Sequence, residues 1–268
     1  MTASEPQLAA PDLFDVSGRS ALITGATGAL GAAAARALAA RGARLTLTAG
    51  SADALEQLGS ELRDSGAEVE LVARRPENAE DAEAMAEAAV RAHGRIDLLV
   101  TAAGMNKVAL IGNQDPADWQ SVMDANVRGS WLACRAAGTR MLEQGEGGKV
   151  VLVSSTRGKL GHPAGYSAYC TSKGAIDSLT KTLACEWGAH GITVNAIAPT
   201  VFRSDLTAWM YAEEGRGKEV REAMLSRIPL GRLGEPEDFV GPLLFLLSPA
   251  SAFVTGQVVY VDGGYTAG

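Results

Sequence analysis

Tyr166, Tyr169 and Lys173 lie in the run "YSAYCTSKG", which sets two phenols within a turn of a single ammonium. No histidine or carboxylate interrupts that run. The chemistry such a group can do is proton transfer, on one condition. A free tyrosine titrates at a pKa of about 10 and is a poor base near neutrality. A cation within about 4–6 Å favours its ionised form by roughly one to three pKa units. On a helix, Lys173 falls one turn beyond Tyr169 and on the same face. The residue in that relation to Tyr166 is Cys170, so Tyr166 is left as a candidate for lining a pocket. Taken alone, a lysine such as Lys173 is most often a solvated helix residue.

A second stretch suits a different task. "TGATGALG" (24–31) leaves an apolar run and enters an alanine-rich one. A glycine turn between a strand and a helix lets backbone N–H groups approach a pyrophosphate at the positive helix end. Gly25, Thr27, Gly28, Leu30 and Gly31 are the candidate contacts. A dinucleotide site often has an acid about 20 residues on, gripping the ribose 2′-hydroxyl. Here Ala49-Gly50-Ser51 stands at that point, and Asp53 reads as first-turn decoration of the next helix.

The elements that must position these residues alternate in kind. Apolar runs at 20–24, 44–48, 68–72, 96–102, 149–155, 192–198 and 257–262 read as strands. Helices are expected over 52–65, 79–93, 116–143 and 167–188, besides one following the glycine loop and one opened by Glu235-Pro236. Ser51 and Asp115 are the expected caps. Residues 199–228, with Trp209 and Tyr211, read as an irregular lid. Alternation of this kind predicts an α/β fold, a single doubly wound Rossmann domain over 14–268. Its seven-stranded parallel sheet carries helices on both faces. Residues 1–13 read as a flexible tail. Ligands bind outside the carboxyl ends of such strands, so loops 25–31, 49–53, 73–77, 102–107, 154–166 and 199–228 matter most.

Composition narrows the function. A net charge of −7 over 268 residues argues against nucleic acid or an anionic membrane as the main partner. Three dispersed cysteines and three scattered histidines suggest no disulfide framework and no metal site. A reducing, cytoplasmic compartment is expected. No segment has about 18 uninterrupted apolar residues, and the first residues do not resemble a signal peptide.

Together these motifs resemble the short-chain dehydrogenase/reductase family, over about residues 14–264. Tyr169 and Lys173 match its Tyr-x-x-x-Lys, and Ser154-Ser155 stands where that family keeps a catalytic serine. Asn126 in "WQSVMDANVRG", then "VNAIAP" and "TGQVVYVDGG", match in order. The chain looks most like the branch of sugar-alcohol dehydrogenases and oxoacyl reductases. The resemblance implies NAD(P)-dependent interconversion of a secondary alcohol and a ketone. Tyr169 would be acid/base, with its pKa lowered by Lys173 and an oxidised nicotinamide. Ser155 would bond the substrate oxygen, and Asn126 would hold a water leading from Lys173. Ala103, Gly104, Pro199 and Val201 would also contact the cofactor. The resemblance further implies a homotetramer. Asn195 and Asp262 read as structural. The alternative is a non-catalytic family member that binds a nucleotide or small ligand as a regulator.

Departures from the pattern cluster around the adenosine half of the cofactor. Ala29 stands where a glycine is usual, with Gly28 one residue earlier. Ala49 and Gly50 replace the acid and the arginine that select NAD and NADP. Arg74 replaces an aspartate that contacts adenine; Thr101-Ala102 and Thr200 are further changes. Without an acid at 49, a 2′-phosphate meets no repulsion. Ser51 with Arg74 or Arg75 would receive it, which leans the cofactor toward NADP. Around the catalytic crevice, Lys107, Arg157, Lys159, His162 and Arg203 are basic, and 154–172 holds no acid. These charges fit an anionic or polyhydroxylated substrate, with Arg157, His162, Tyr166 and Trp209 as its candidate contacts.

Overall fold

The computed structural model describes residues 12–268. Most of the tail read at 1–13 therefore lies outside the described residues, while Leu13 is already tied down, its carbonyl accepting from Ala250 N at 2.8 Å.

Seven parallel strands form one sheet in the order β3-β2-β1-β4-β5-β6-β7. They are β1 (Ser20–Thr24), β2 (Arg44–Thr48), β3 (Val69–Val72), β4 (Leu98–Thr101), β5 (Gly148–Val153), β6 (Ile192–Pro199) and β7 (Val258–Val261). β1 is buried at every position, as a strand covered on both faces must be. The helices are α1 (Ala29–Ala39), α2 (Ala52–Asp64), α3 (Ala79–His93), α4 (Pro116–Met123), α5 (Gly129–Gln144), α6 (Thr156–Lys159), α7 (Ser167–Trp187), α8 (Arg216–Leu225) and α9 (Pro236–Leu247). One apolar layer packs α1, α2 and α9 on one face of the sheet, around Leu38, Leu55 and Phe239. The other packs α3, α5 and α7 on the opposite face, around Met85, Met141 and Ile176. Fully burying each such side chain is worth about 1.5–3 kcal/mol.

The caps follow from the sequence. Ser51 Oγ accepts from Ala54 N at 3.3 Å and Asp115 Oδ1 from Ala117 N at 2.7 Å. Two expectations change. The helix expected over 116–143 is interrupted between α4 and α5 by a π-turn, Asp124–Arg128. The extra residue per turn rotates Asn126 inward, to 1% exposure. The stretch 199–228 is not irregular. It folds as a 3₁₀ helix, Asp205–Tyr211, followed by α8, over a satellite core of Met210, Met224, Ile228, Leu233 and Tyr265. α8 is polar on most of its surface and buries only Gly217 and Met224, so its apolar periodicity is weak.

β1 and β4 are adjacent although β2 and β3 intervene in the chain, so the strand order reverses between them. A crevice opens at such a point. The loops after β1 and β4 meet there backbone to backbone. A Cβ on Gly25 would stand 2.4 Å from Ala103 N, and Gly25 has φ +67°. Only glycine satisfies both conditions.

Candidate active site

β5 and α7 bring the proton-transfer residues together. Ser155 follows the carboxyl end of β5 and caps α6: its Oγ accepts from Arg157 N at 3.2 Å and donates to Pro199 O at 3.4 Å. Tyr169 and Lys173 lie on one face of α7, with Lys173 Nζ 5.6 Å from the Tyr169 ring centre. The ammonium donates to Val153 O at 2.8 Å and is 4% exposed. Burial lowers its pKa to about 8, against the pull of Asp177 in the other direction. Asp177, one turn further along α7, accepts from Ser154 Oγ, which also donates to Lys173 O at 3.3 Å. These bonds fasten the strand end carrying Ser155 to the helix carrying Tyr169.

Tyr169 differs from the expected direction. Burial holds its hydroxyl above the ordinary tyrosine range, while the neighbouring Ser155 hydroxyl and the Arg157 cation pull it back down. Among the protein's own groups desolvation wins, because the Lys173 ammonium is turned to a backbone carbonyl. Tyr166 packs edge-on to Tyr169 at 6.3 Å and stacks on His162 at 4.3 Å, so both line the approach to the phenol. Burial first, then Arg157 and Arg227, lower the His162 pKa.

Asn126 clasps rather than projects. Its Nδ2 donates to Met105 O and to Ser172 Oγ, both at 2.9 Å, and its Oδ1 accepts from Met105 N at 2.8 Å. Both amide protons are committed, so a water could be held only by the second acceptor site of Oδ1 or by the main-chain carbonyl. Gly104 lies open in front of this pair; a Cβ there would stand 3.4 Å from Asn126 Oδ1 and 3.7 Å from Lys173 Nζ.

The residues present fit a dinucleotide. Gly28 is the N-cap of α1 and contributes no side-chain cap, so no capping side chain competes for the first-turn N–H groups around Leu30 and Gly31. Thr27 and Gly28 are exposed beside them. Gly28 has φ −74° and needs no glycine conformation, and Ala29 opens the helix without strain. On the adenosine side the two arginines separate. Arg74 is bound to Asp81 at 2.7 Å. Arg75 instead lies across Gly50, where a Cβ would stand 2.2 Å from its Nε. Arg75 makes no ion pair among the described residues. Pro199 ends β6, and Val201 O accepts from Gly234 N at 3.0 Å in the next loop.

The expected basic cluster thins out. Lys107 pairs with Asp118 at 3.5 Å and Arg203 with Glu235 at 3.0 Å. Lys159 Nζ lies over Tyr260, 5.3 Å from its ring centre. Trp209 stands 47% exposed on the 3₁₀ helix, and the Arg203 guanidinium stacks on Tyr211 at 3.9 Å. Sequence reasoning missed Asp177, although its spacing of four from Lys173 is a signal. It also missed Arg227 and Tyr265, for which no local pattern exists. Asn195 and Asp262 organise backbone: Asn195 Nδ2 donates to Val254 O at 2.8 Å, and Asp262 accepts from Gly264 N and Thr266 N, each at 2.9 Å.

The chain is similar to known proteins over nearly its whole length. Residues 25–266 match the family described as Enoyl-(Acyl carrier protein) reductase. An uncharacterized oxidoreductase of Mycobacterium tuberculosis is 58% identical over 256 residues, 95% of this chain and 93% of that protein. Galactitol 2-dehydrogenase (L-tagatose-forming) of Cereibacter sphaeroides is 40% identical over 256 residues, 95% and 97% of the two chains. The crystal structure of a gluconate 5-dehydrogenase from Burkholderia cenocepacia in complex with NADP and tartrate superposes with a TM-score of 0.90. It is 30% identical, with 96% of this chain and 98% of that one covered.

Proposed function

The chain belongs to the short-chain dehydrogenase/reductase family, and on that footing we propose that it interconverts a secondary alcohol and a ketone, with Tyr169 as acid/base. The coarser statement, an NAD(P)-dependent oxidoreductase, rests on the relatives themselves. The observation that carries the finer one is the buried Lys173 ammonium beside Tyr169, tied through Ser154 and Asp177 to the strand end bearing Ser155.

When bound, the nicotinamide supplies the hydride acceptor or donor. The protein's residues do the rest. The first turn of α1 and the glycine loop bind the pyrophosphate. Ala103 and Gly104 leave room beside the Asn126–Lys173 pair. The Ser155 hydroxyl turns from Pro199 O to the substrate oxygen and holds it as charge develops. The Tyr169 hydroxyl gives its proton to a ketone oxygen and is left as the phenolate; in the other direction the phenolate takes the proton of an alcohol. Lys173 holds positive charge beneath the phenolate and so limits the cost of forming it. The chain is read as a cytoplasmic homotetramer, for which Trp131 on α5 (47% exposed) and Phe253 (105% exposed) supply apolar surface. A 27.7 kDa monomer by light scattering would remove that reading. No helix among the described residues is long and apolar enough to cross a membrane.

NADP is the proposed cofactor. Gly50 leaves space for the Arg75 guanidinium, and Ser51 retains a hydroxyl proton to donate. Titration of the protein's fluorescence should show NADP⁺ bound about tenfold more tightly than NAD⁺, and Arg75→Ala should erase most of that difference. Tighter NAD⁺ binding, or an unchanged ratio in the variant, defeats the proposal. Absorbance of the reduced nicotinamide, followed with galactitol and gluconate in a panel of alcohols and ketones, tests the reaction. Binding of cofactor with no turnover of any member would favour the regulator.

A further inference from the structure

The basic residues around the crevice divide into two groups, and the division identifies a site. Lys107 and Arg203 have acidic partners, whereas Arg157 and Arg227 have none among the described residues. These two arginines come from different parts of the fold. Arg157 lies in α6, two residues beyond Ser155. Arg227 follows the end of α8. Both are drawn to one ring, that of Tyr265, which is 1% exposed in the segment after β7. Arg227 Cζ lies 4.4 Å from its centre and Arg157 Cζ 5.6 Å. Arg157 Nη2 donates to the Tyr265 hydroxyl at 3.2 Å, and Nη1 donates to Gly161 O at 3.1 Å. That leaves three of its five N–H groups free, and no hydrogen bond of the Arg227 side chain is present among the described residues. The Asp262 turn holds the ring in place, with Tyr265 N donating to Asp262 O at 3.1 Å.

Two guanidinium groups gathered on one aromatic ring without a counter-ion repel each other unless an anion joins them. Their fields converge on His162, and that of Arg157 also reaches Tyr169. The pair therefore stands within electrostatic range of the proton-transfer centre, where α6, the residues after α8 and the segment after β7 meet at Tyr265. We propose that Arg157 and Arg227 form a two-armed seat for the carboxylate of a hydroxy acid, whose carbinol carbon is thereby presented to Tyr169. The planar fork of arginine matches a carboxylate in two-point hydrogen bonding. Tyr265 fixes the Arg157 arm, and the free Arg227 arm closes on the ligand. This rests on the dehydrogenase reading of the same site and names its substrate class.

Two measurements separate the seat from the reaction. In the first, tartrate is titrated calorimetrically into the protein saturated with NADP⁺, without turnover. Wild type should bind it; Arg227→Gln and Arg157→Gln should each weaken binding about tenfold or more, as loss of a charge-assisted pair implies. Equal binding by wild type and Arg227→Gln overturns the seat, provided the variant's thermal midpoint shows that the Tyr265 ring it stacks on is still packed. In the second, kcat/KM is compared for gluconate and the uncharged galactitol. The preference for gluconate should fall about tenfold in Arg227→Gln, through KM rather than kcat. A wild-type preference for galactitol, or for a phosphorylated polyol over gluconate, overturns the carboxylate assignment. Absence of all turnover alongside arginine-dependent tartrate binding would instead defeat the dehydrogenase reading and leave the seat standing.

Discussion

Replacing Tyr169 with phenylalanine should lower kcat by about 10²–10⁴-fold, the usual contribution of a positioned acid/base. The ring remains, so its edge-on contact with Tyr166 is kept. Only the transferable proton is lost. Ser155, Lys173 and the glycine loop are untouched, so NADP⁺ affinity should stay within about twofold, since uniform binding does not depend on that proton. The informative comparison is therefore turnover against cofactor titration on one preparation. If phenylalanine retains turnover within a few-fold of wild type, proton transfer lies elsewhere and the reading of Tyr169 is wrong. A loss of both turnover and folding would be uninformative for a core residue. Here the thermal midpoint should move by only a degree or two, because the ring keeps its packing and the hydroxyl's one polar neighbour, Ser155, retains its own bonds to Arg157 N and Pro199 O.

Lys173→Met should separate stability from activity. The ammonium is 4% exposed, and its pKa falls from 10.5 to about 8. Below pH 8 both folded and unfolded chains carry the proton, and the folded state bears the full cost of a buried charge. As pH rises from about 8 toward 10.5, the folded protein sheds the proton first. Stability from this group therefore increases across that window, by about 3 kcal/mol in total. Methionine cannot titrate, so the variant should lack the rise. Urea unfolding of cofactor-free protein at several pH values between 7 and 10 reads the difference. Above pH 10 the raised Tyr169 pKa acts in the opposite sense, which sets the upper limit. Parallel stability curves for wild type and variant would mean that burial imposes no such cost. Turnover should fall by about the same order as for Tyr169→Phe, because a phenolate without its cation is costly in a desolvated site.

Both predictions concern one helix face, and that face was legible. Tyr169, Lys173 and Ser155 are placed by short-range rules: a spacing of four on a helix, and a polar residue at a strand end. The seven strands and most helices were legible for the same reason, since apolar periodicity and glycine stops act over a few residues. α3 keeps its expected bounds, and those of β5 and α7 moved by only one or two residues. Asn126 could be singled out by its motif, but its clasp on Met105 and Ser172 depends on a π-turn. The sequence 116–143 reads as one continuous helix, and nothing local marks the extra residue.

The amino-acid sequence by itself determined the parallel sheet, the glycine turn at its switch point, and the pairing of a phenol with an ammonium. Each follows from interactions between residues a few positions apart. Tertiary packing alone decided which charges remain available. Arg74 pairs with Asp81 while Arg75 crosses Gly50; Arg203 and Lys107 find acids while Arg157 and Arg227 meet on Tyr265. Whether a cation is neutralised depends on what lies within a few ångströms of it. For residues as far apart as 157, 227 and 265, that proximity is created only when the sheet and its last segments close.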